Sequence, residues 1–132
     1  MIMNYTRTVR EFSMACNDEL PEHPILMSKD RVDFIRQMVS DEMDELDEAE
    51  TVVDQADALV DAIYYICDTA VRHGMNLDNL FDIVHRTNMT KVINGKVLRR
   101  DDGKIMKPEN WEPPEPKLAT EIRRQCDEGS FS

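Results

Sequence analysis

The residues with the clearest chemical meaning in this sequence are the carboxylates between Asp41 and Asp61. Ten acidic residues fall in that stretch, and neither Lys nor Arg occurs from Gln37 to Val71. Carboxylates crowded in this way must be solvated, protonated or neutralised by a cation, because unpaired buried charge is costly. The stretch therefore indicates a cation-binding surface.

Two of these acids interrupt an apolar helical pattern. The pattern runs at spacings of three and four residues through Val32, Ile35, Val39 and Leu46. Glu42 occupies the next position of that pattern after Val39, where an apolar residue was expected. Glu45 lies one turn further on nearly the same face, so the two carboxylates can converge on one point.

A second acidic stripe follows in the next predicted helix. Asp54, Asp57 and Asp61 are spaced by three and four residues within an otherwise apolar stretch. Two helices that present acids toward each other can hold a hard divalent cation such as Mg²⁺, which prefers carboxylate oxygens. The remaining acids of the stretch fit an ordinary water-facing surface: Asp44, Asp47, Glu48 and Glu50.

Length and charge restrict the possible functions. The chain has 132 residues, which predicts one domain with a modest core and makes a site shared between subunits plausible. Its net charge of -11 argues against binding to nucleic-acid polymers or anionic membranes. The three cysteines lack metal-type spacing, and the sequence has no apolar run of membrane-spanning length. Together these features predict a cytoplasmic protein.

Periodicity and capping residues predict four consecutive helices over residues 5–17, 28–49, 51–74 and 76–92. Ser28, Thr51 and Asn76 are the expected N-caps, and Gly74 is the expected stop of the third helix. The predicted core face of the third helix comprises Leu59, Ile63, Ile66, Cys67 and Ala70. The fold class is therefore all-α, of the four-helix-bundle type.

The pattern changes after the fourth helix. Turn dipeptides at Asn94-Gly95 and Asp102-Gly103 predict a short hairpin or irregular flap. A proline-rich stretch over residues 107–116 should wrap over another surface with Trp111 as its apolar anchor, before a last helix over 118–127 and a loose tail. We thus expect residues 1–93 to form a metal-binding bundle, and residues 94–132 to add a flap, wrap and helix to the same domain.

The only dense basic region lies at the end of the fourth helix. It consists of Arg86, Lys91, Lys96, Arg99, Arg100 and Lys104. Such residues can simply balance surface acids. Beside a divalent metal, however, a few cations are what triphosphate chemistry requires. Asn88 adds to this interpretation, because an Asn within a helix has poor propensity and favours a side-chain partner.

These residues resemble the MazG-type all-α nucleoside triphosphate pyrophosphohydrolases, a group that includes the phosphoribosyl-ATP pyrophosphohydrolases. The resemblance rests on Asp57-Ala58-Leu59-Val60-Asp61 and on His85-Arg86-Thr87-Asn88-Met89-Thr90-Lys91. It also takes in Phe34 to Glu45, and it extends through the flap to Lys107-Pro108-Glu109-Asn110-Trp111. Each motif is weak alone, but their order and spacing are fairly specific.

The resemblance implies a metal site for Mg²⁺, for which Mn²⁺ can substitute. The family's Glu-Glu-x-x-Glu motif corresponds to Asp41, Glu42 and Glu45, with Asp in place of the first Glu. Its Glu-x-x-Asp motif corresponds either to Asp54 and Asp57 or, in another register, to Asp61 with Ala58 at the Glu position. We prefer the first register and keep Asp61 as a ligand candidate.

The resemblance also implies an activity, namely hydrolysis of a nucleoside triphosphate, here a deoxynucleotide, to the monophosphate and pyrophosphate. Asp41 or Glu42 would orient the attacking water. The remaining contacts to substrate would come from Arg86, Asn88, Lys91, Asn17, Phe12 and Tyr64. A homodimer or homotetramer is expected. Two alternatives remain open: a phosphoribosyl-ATP pyrophosphohydrolase, and a non-catalytic acidic helical protein that binds a basic partner or metal.

Overall fold

The computed structural model describes residues 3–16 and 19–132, and it is built from helices connected mostly by short loops. The elements in chain order are α1 (Tyr5–Cys16), α2 (Lys29–Glu48), α3 (Val52–Arg72), α4 (Leu77–Met89), β1 (Val92–Ile93), β2 (Lys96–Val97) and α5 (Glu115–Glu128). The predicted all-α class with a short flap and a C-terminal helix is confirmed. Within the described residues, no helix is both long and apolar enough to cross a membrane.

The helix starts follow from local chemistry. The side chains of Ser28, Thr51 and Asn76 each accept a hydrogen bond from a backbone N–H in the first turn of the helix that follows. These bonds satisfy donors that a helix start would otherwise leave unpaired, so all three predicted N-caps are confirmed. Gly74 follows α3 with a φ of 68°, and a Cβ there would collide with the carbonyl oxygen of His23.

The centre of the fold is the helical hairpin formed by α2 and α3, with α1 packed against α3. The short connection between Glu48 and Val52 makes the two helices antiparallel neighbours. Small side chains on α3 are buried, including Ala58, Ala62 and Ala70. Because these side chains are short, the neighbouring helix backbones can approach closely.

The predicted core face of α3 is correct only for Cys67 and Ala70. Leu59, Ile63 and Ile66 are each more than two-fifths exposed. The prediction failed because helical spacing marks the apolar positions of α3 but not which of them meet another helix, and within the chain α3 packs through its smaller residues. The larger apolar side chains consequently form an exposed surface on α3.

The C-terminal part of the chain is more ordered than predicted. Helix α5 begins at Glu115, three residues before the predicted start. Proline has no backbone N–H to donate, but the first turn of a helix does not require that donor, so proline is tolerated there. The tail was predicted to be loose, but Ser130 is buried and its N–H donates to the carbonyl of Glu22 at 2.9 Å. The tail is therefore an integral part of the packing.

A polar network joins the tail to the start of α4. The side chain of Gln125 is fully buried, donates to the carbonyl of Asn76 at 2.8 Å and accepts from its N–H at 3.0 Å. Asp78 accepts from the N–H of Thr6 at 2.9 Å, which ties α1 to the same point. These bonds satisfy the buried polar groups at the base of the bundle.

Candidate functional site

Glu42 is the most unusual acid in the structure. Among the twenty residues of α2, all of which the structure describes, it alone is buried, with 8% of its surface exposed. Within the described part of the chain, its Oε2 atom has no hydrogen-bond partner. A buried carboxylate oxygen without a partner is costly unless a proton or a cation compensates it.

Other carboxylates surround Glu42. Its pKa is raised above the ordinary value of 4.5, first by burial, then by a hydrogen bond with Glu45, and then by the negative charges of Glu45, Asp61 and Asp57. Acids on both α2 and α3 therefore lie near enough to the Glu42 carboxyl to raise its pKa.

This group of acids fits a hard divalent cation in its chemistry. Glu42, Glu45, Asp57 and Asp61 supply only oxygen donors, and one of those oxygens is buried without a partner. Among residues 3–16 and 19–132, however, no three acidic, His or Cys side chains stand close enough together to hold a metal ion as placed. Carboxylates without a counter-cation repel each other, so side-chain rotations would be needed to close a coordination shell.

The other predicted acids stand apart from this group. Asp54 lies in the first turn of α3, is exposed, and is not among the groups that perturb Glu42. Asp41 is also exposed and accepts a hydrogen bond from Nε2 of Gln37 at 2.6 Å. The structure thus places Asp57 and Asp61, rather than Asp54, beside Glu42.

A cavity of about 310 Å³ opens next to Glu42 and Asp61. Its wall includes Phe12 and Tyr64, whose rings meet edge to face with centroids 6.1 Å apart. The volume is at the lower end of the range for small-molecule sites. Both aromatic residues were predicted as contacts for the base, and the structure places them at the same cavity as the acids.

The sequence did not reveal a polar cluster that also belongs to the wall of this cavity. Asp68 accepts from the hydroxyl of Ser13 at 2.5 Å and from Nε of Arg72 at 2.7 Å. The available signal was the spacing of Asp68, which follows Asp61 by seven residues, or two helical turns, and precedes Arg72 by one turn. The contact with Ser13, 55 residues away in sequence, left no local signal.

The predicted phosphate-binding residues lie elsewhere. Arg86 is 76% exposed and pairs with Asp82 at 2.8 Å, and Lys91 donates to Oδ1 of Asn88 at 3.2 Å. None of these residues belongs to the wall of the cavity beside Glu42. Among the described residues, the cavity beside Glu42 is therefore lined by acidic candidates but by none of the predicted phosphate-binding residues. Asn17, also predicted to bind substrate, lies outside the described residues.

The raised pKa of Glu42 predicts how stability changes with pH. Without metal, the folded state keeps the Glu42 proton to higher pH than the unfolded state does, so the free energy of unfolding should fall as pH rises above 4.5. Glu42→Gln should remove this loss of stability, because the amide of Gln does not ionise. It should make the metal-free protein more stable than the parent at pH 7.5, and leave it equally stable at pH 3.5.

Urea unfolding at both pH values, in the presence of a chelator, measures this effect. Glu48→Gln is the matched control, because Glu48 is an exposed acid on the same helix. A Glu42→Gln variant that is no more stable than the parent at pH 7.5 would contradict the unfavourable burial of charge at Glu42.

Comparison with known proteins provides an independent observation. Among curated proteins, none is significantly similar to the chain. The sequence model of the phosphoribosyl-ATP pyrophosphohydrolase family matches residues 9–88, which include all the candidate acids together with Arg86 and Asn88. The matched part is more than half of the 132 residues. The chain therefore belongs to the phosphoribosyl-ATP pyrophosphohydrolase family, whose members are nucleotide pyrophosphohydrolases.

Proposed function

We propose that this protein hydrolyses a nucleoside triphosphate, preferably a deoxynucleotide, to the monophosphate and pyrophosphate in a Mg²⁺-dependent reaction. The observation that carries this proposal is the buried, unpartnered oxygen of Glu42, which faces acids from a second helix. The family match supports pyrophosphohydrolysis, and it is as compatible with phosphoribosyl-ATP as with a nucleoside triphosphate as the substrate. Phosphoribosyl-ATP is therefore the second candidate.

Glu42, Glu45, Asp57 and Asp61 would hold the metal. This assignment uses the register that ends at Asp61, because Asp57 and Asp61 both act on the Glu42 carboxyl and Asp54 does not. Bound magnesium would supply positive charge that neutralises the charge developing on the phosphate oxygens. Mn²⁺, which also accepts carboxylate ligands, should replace it.

The chain's own residues would orient the reactants. Asp41 lies next to the metal-binding group on α2 and is exposed, so its carboxylate can accept a hydrogen bond from a water molecule. Glu42, the next residue on the same helix, is the second candidate for orienting that water. The nucleotide base would contact Phe12 and Tyr64 in the adjoining cavity.

The cations of Arg86 and Lys91, together with the side-chain amide of Asn88, would bind the outer phosphates. Since they do not line the cavity beside Glu42 within one chain, we propose that a second copy of the chain brings the two parts together. A groove of about 620 Å³ between α3 and α4 supports this arrangement, because Ile63, Ile66 and Phe81 line it and are exposed. Exposed apolar surfaces of this kind are typical of interfaces.

The proposed reaction predicts specific products. Incubation with Mg²⁺ and a panel of NTPs, dNTPs and phosphoribosyl-ATP should yield a monophosphate and pyrophosphate from at least one substrate. In ¹⁸O-labelled water the label should appear on the monophosphate, because attack is expected at the α-phosphorus. Chromatography and mass spectrometry measure both outcomes. A nucleoside diphosphate and orthophosphate as first products would rule out pyrophosphohydrolysis, and no turnover of any substrate would favour a non-catalytic binding protein.

The metal site predicts a thermal shift. Mg²⁺ at 100 times its dissociation constant should stabilise the folded protein by about 2.7 kcal/mol if only the native state binds it. The double variant Glu42→Gln, Glu45→Gln should lose this gain, because two of four proposed ligands become neutral amides. Asp44→Asn with Asp47→Asn is the matched control on exposed positions of α2. An identical melting temperature of the parent protein with and without metal would argue against the site.

The proposed interface predicts an oligomer that a charge on α3 disrupts. Ile63 is 48% exposed in the isolated chain and lines the groove, so Ile63→Glu should place an unpaired charge in the interface. Light scattering after size exclusion should show a dimer or tetramer for the parent and a shift to monomer for the variant. Leu26→Glu, at a fully exposed loop position, should leave the mass unchanged. A monomeric parent protein at micromolar concentration would contradict the interface.

A further inference from the structure

The ring of Trp111 lies close to two lysines, Lys91 and Lys107. The Nζ atom of Lys91 is 5.2 Å from the centroid of the Trp111 ring, and that of Lys107 is 4.6 Å from it. Both distances are within the range in which an aromatic ring attracts a cation. Both ammonium groups are therefore held beside the same indole ring.

The flap, residues 92–106, brings this arrangement about. After the β1–β2 hairpin the chain doubles back, and the N–H of Met106 donates to the carbonyl of Leu98 at 2.7 Å. The return segment, residues 107–111, then reaches the end of α4. There Nε1 of Trp111 lies 3.5 Å from the carbonyl oxygen of Thr87, and the N–H of Trp111 donates to the carbonyl of Pro108 at 3.2 Å.

The two lysines lack carboxylate partners. Among the described residues, neither Lys91 nor Lys107 forms a salt bridge, whereas Arg72, Arg86 and Arg124 each pair with an acid. The chain contains 27 acidic residues against 16 Lys and Arg, so the acidic protein offers few cationic positions for an anion. Two like charges held at one ring repel each other, and an anion bound beside both would remove that repulsion.

We propose that Lys91 and Lys107, positioned by Trp111, form a binding site for a polyphosphate group. The identity of the ligand rests on the proposed function, in which pyrophosphate is both the leaving group and a product. Lysine binds phosphate as a compact point charge, so two lysines can contact different phosphoryl units of one chain. Asn88 supports the site, since its side-chain oxygen accepts from Lys91.

This site extends beyond the part of the chain that matches the family. The match ends at residue 88, before Lys91 and well before the return segment. Lys107 therefore lies outside the matched helices, in the segment that follows the flap, and is a further phosphate-binding residue of the proposed site. Trp111 is a positioning residue, because it acts by holding the two lysines rather than by contacting phosphate.

Trp111 also reports on its own site, because it is the only tryptophan in the chain. Titration of the metal-free protein with inorganic pyrophosphate, in a chelator, should change the tryptophan emission in a saturable way. The chelator prevents the acids from binding pyrophosphate through a metal. Orthophosphate, with one phosphoryl unit, should bind more weakly at the same ionic strength.

Lys107→Ala and Lys91→Ala should each weaken pyrophosphate binding about tenfold or more, as expected for the loss of one charge-assisted hydrogen bond. Lys117→Ala, on the exposed surface of α5, is the matched control and should bind as the parent does. Circular dichroism should show unchanged helix content in all three variants. For the parent, salt should weaken binding, because the attraction is electrostatic.

The result separates this proposal from the proposed function. Pyrophosphate binding that depends on both lysines, in a protein without nucleotide turnover, would support the site and refute the hydrolysis. Normal turnover together with unchanged pyrophosphate affinity in Lys107→Ala would refute the site and leave the hydrolysis standing. No change of tryptophan emission with pyrophosphate, confirmed by calorimetry, would also overturn the site.

Discussion

The burial of the Glu42 carboxylate where α2 meets α3 is the constraint on which the arrangement of the site depends. An oxygen without a partner at a helix contact would normally favour replacement by an apolar residue. The two helices instead place Glu45, Asp57 and Asp61 around it, which adds repulsion to the cost of burial. Such a cluster lowers the stability of the metal-free protein, and that cost is offset only when a cation or protons are bound.

The features that the sequence predicted correctly have local causes. Ser28, Thr51 and Asn76 act on backbone groups two or three residues away, so their chemistry is visible in a short stretch of sequence. The position of Glu42 was predictable for a similar reason, because an apolar pattern at helical spacing fixes which face of α2 packs inward. The turn at Asn94-Gly95 also depends only on adjacent residues, both of which adopt positive φ.

The features that escaped prediction depend on distant partners. Periodicity identified the apolar positions of α3 but could not show that Ala58 and Ala62 pack within the chain while Ile63 points outward. The ordered tail depends on contacts between Ser130 and the loop at Glu22, which are more than 100 residues apart. The absence of Arg86 and Lys91 from the wall of the cavity beside Glu42 is likewise a property of the tertiary arrangement. Matching motifs in order along the chain carries no information about it.

A hydrogen bond at the open end of the α2–α3 hairpin affects how accurately the acids are positioned. The N–H of Ile25 donates to the carbonyl of His73 at 2.8 Å, which fastens the hairpin at the end opposite its turn. Glu42 lies thirteen residues beyond the start of α2, or about 20 Å along the helix axis. At that distance from the Ile25–His73 bond, a rotation of about 3° between the helices displaces a carboxylate by about 1 Å. The rigidity of this contact, which lies far from the acids, thus limits how much the distances between the carboxylates can vary.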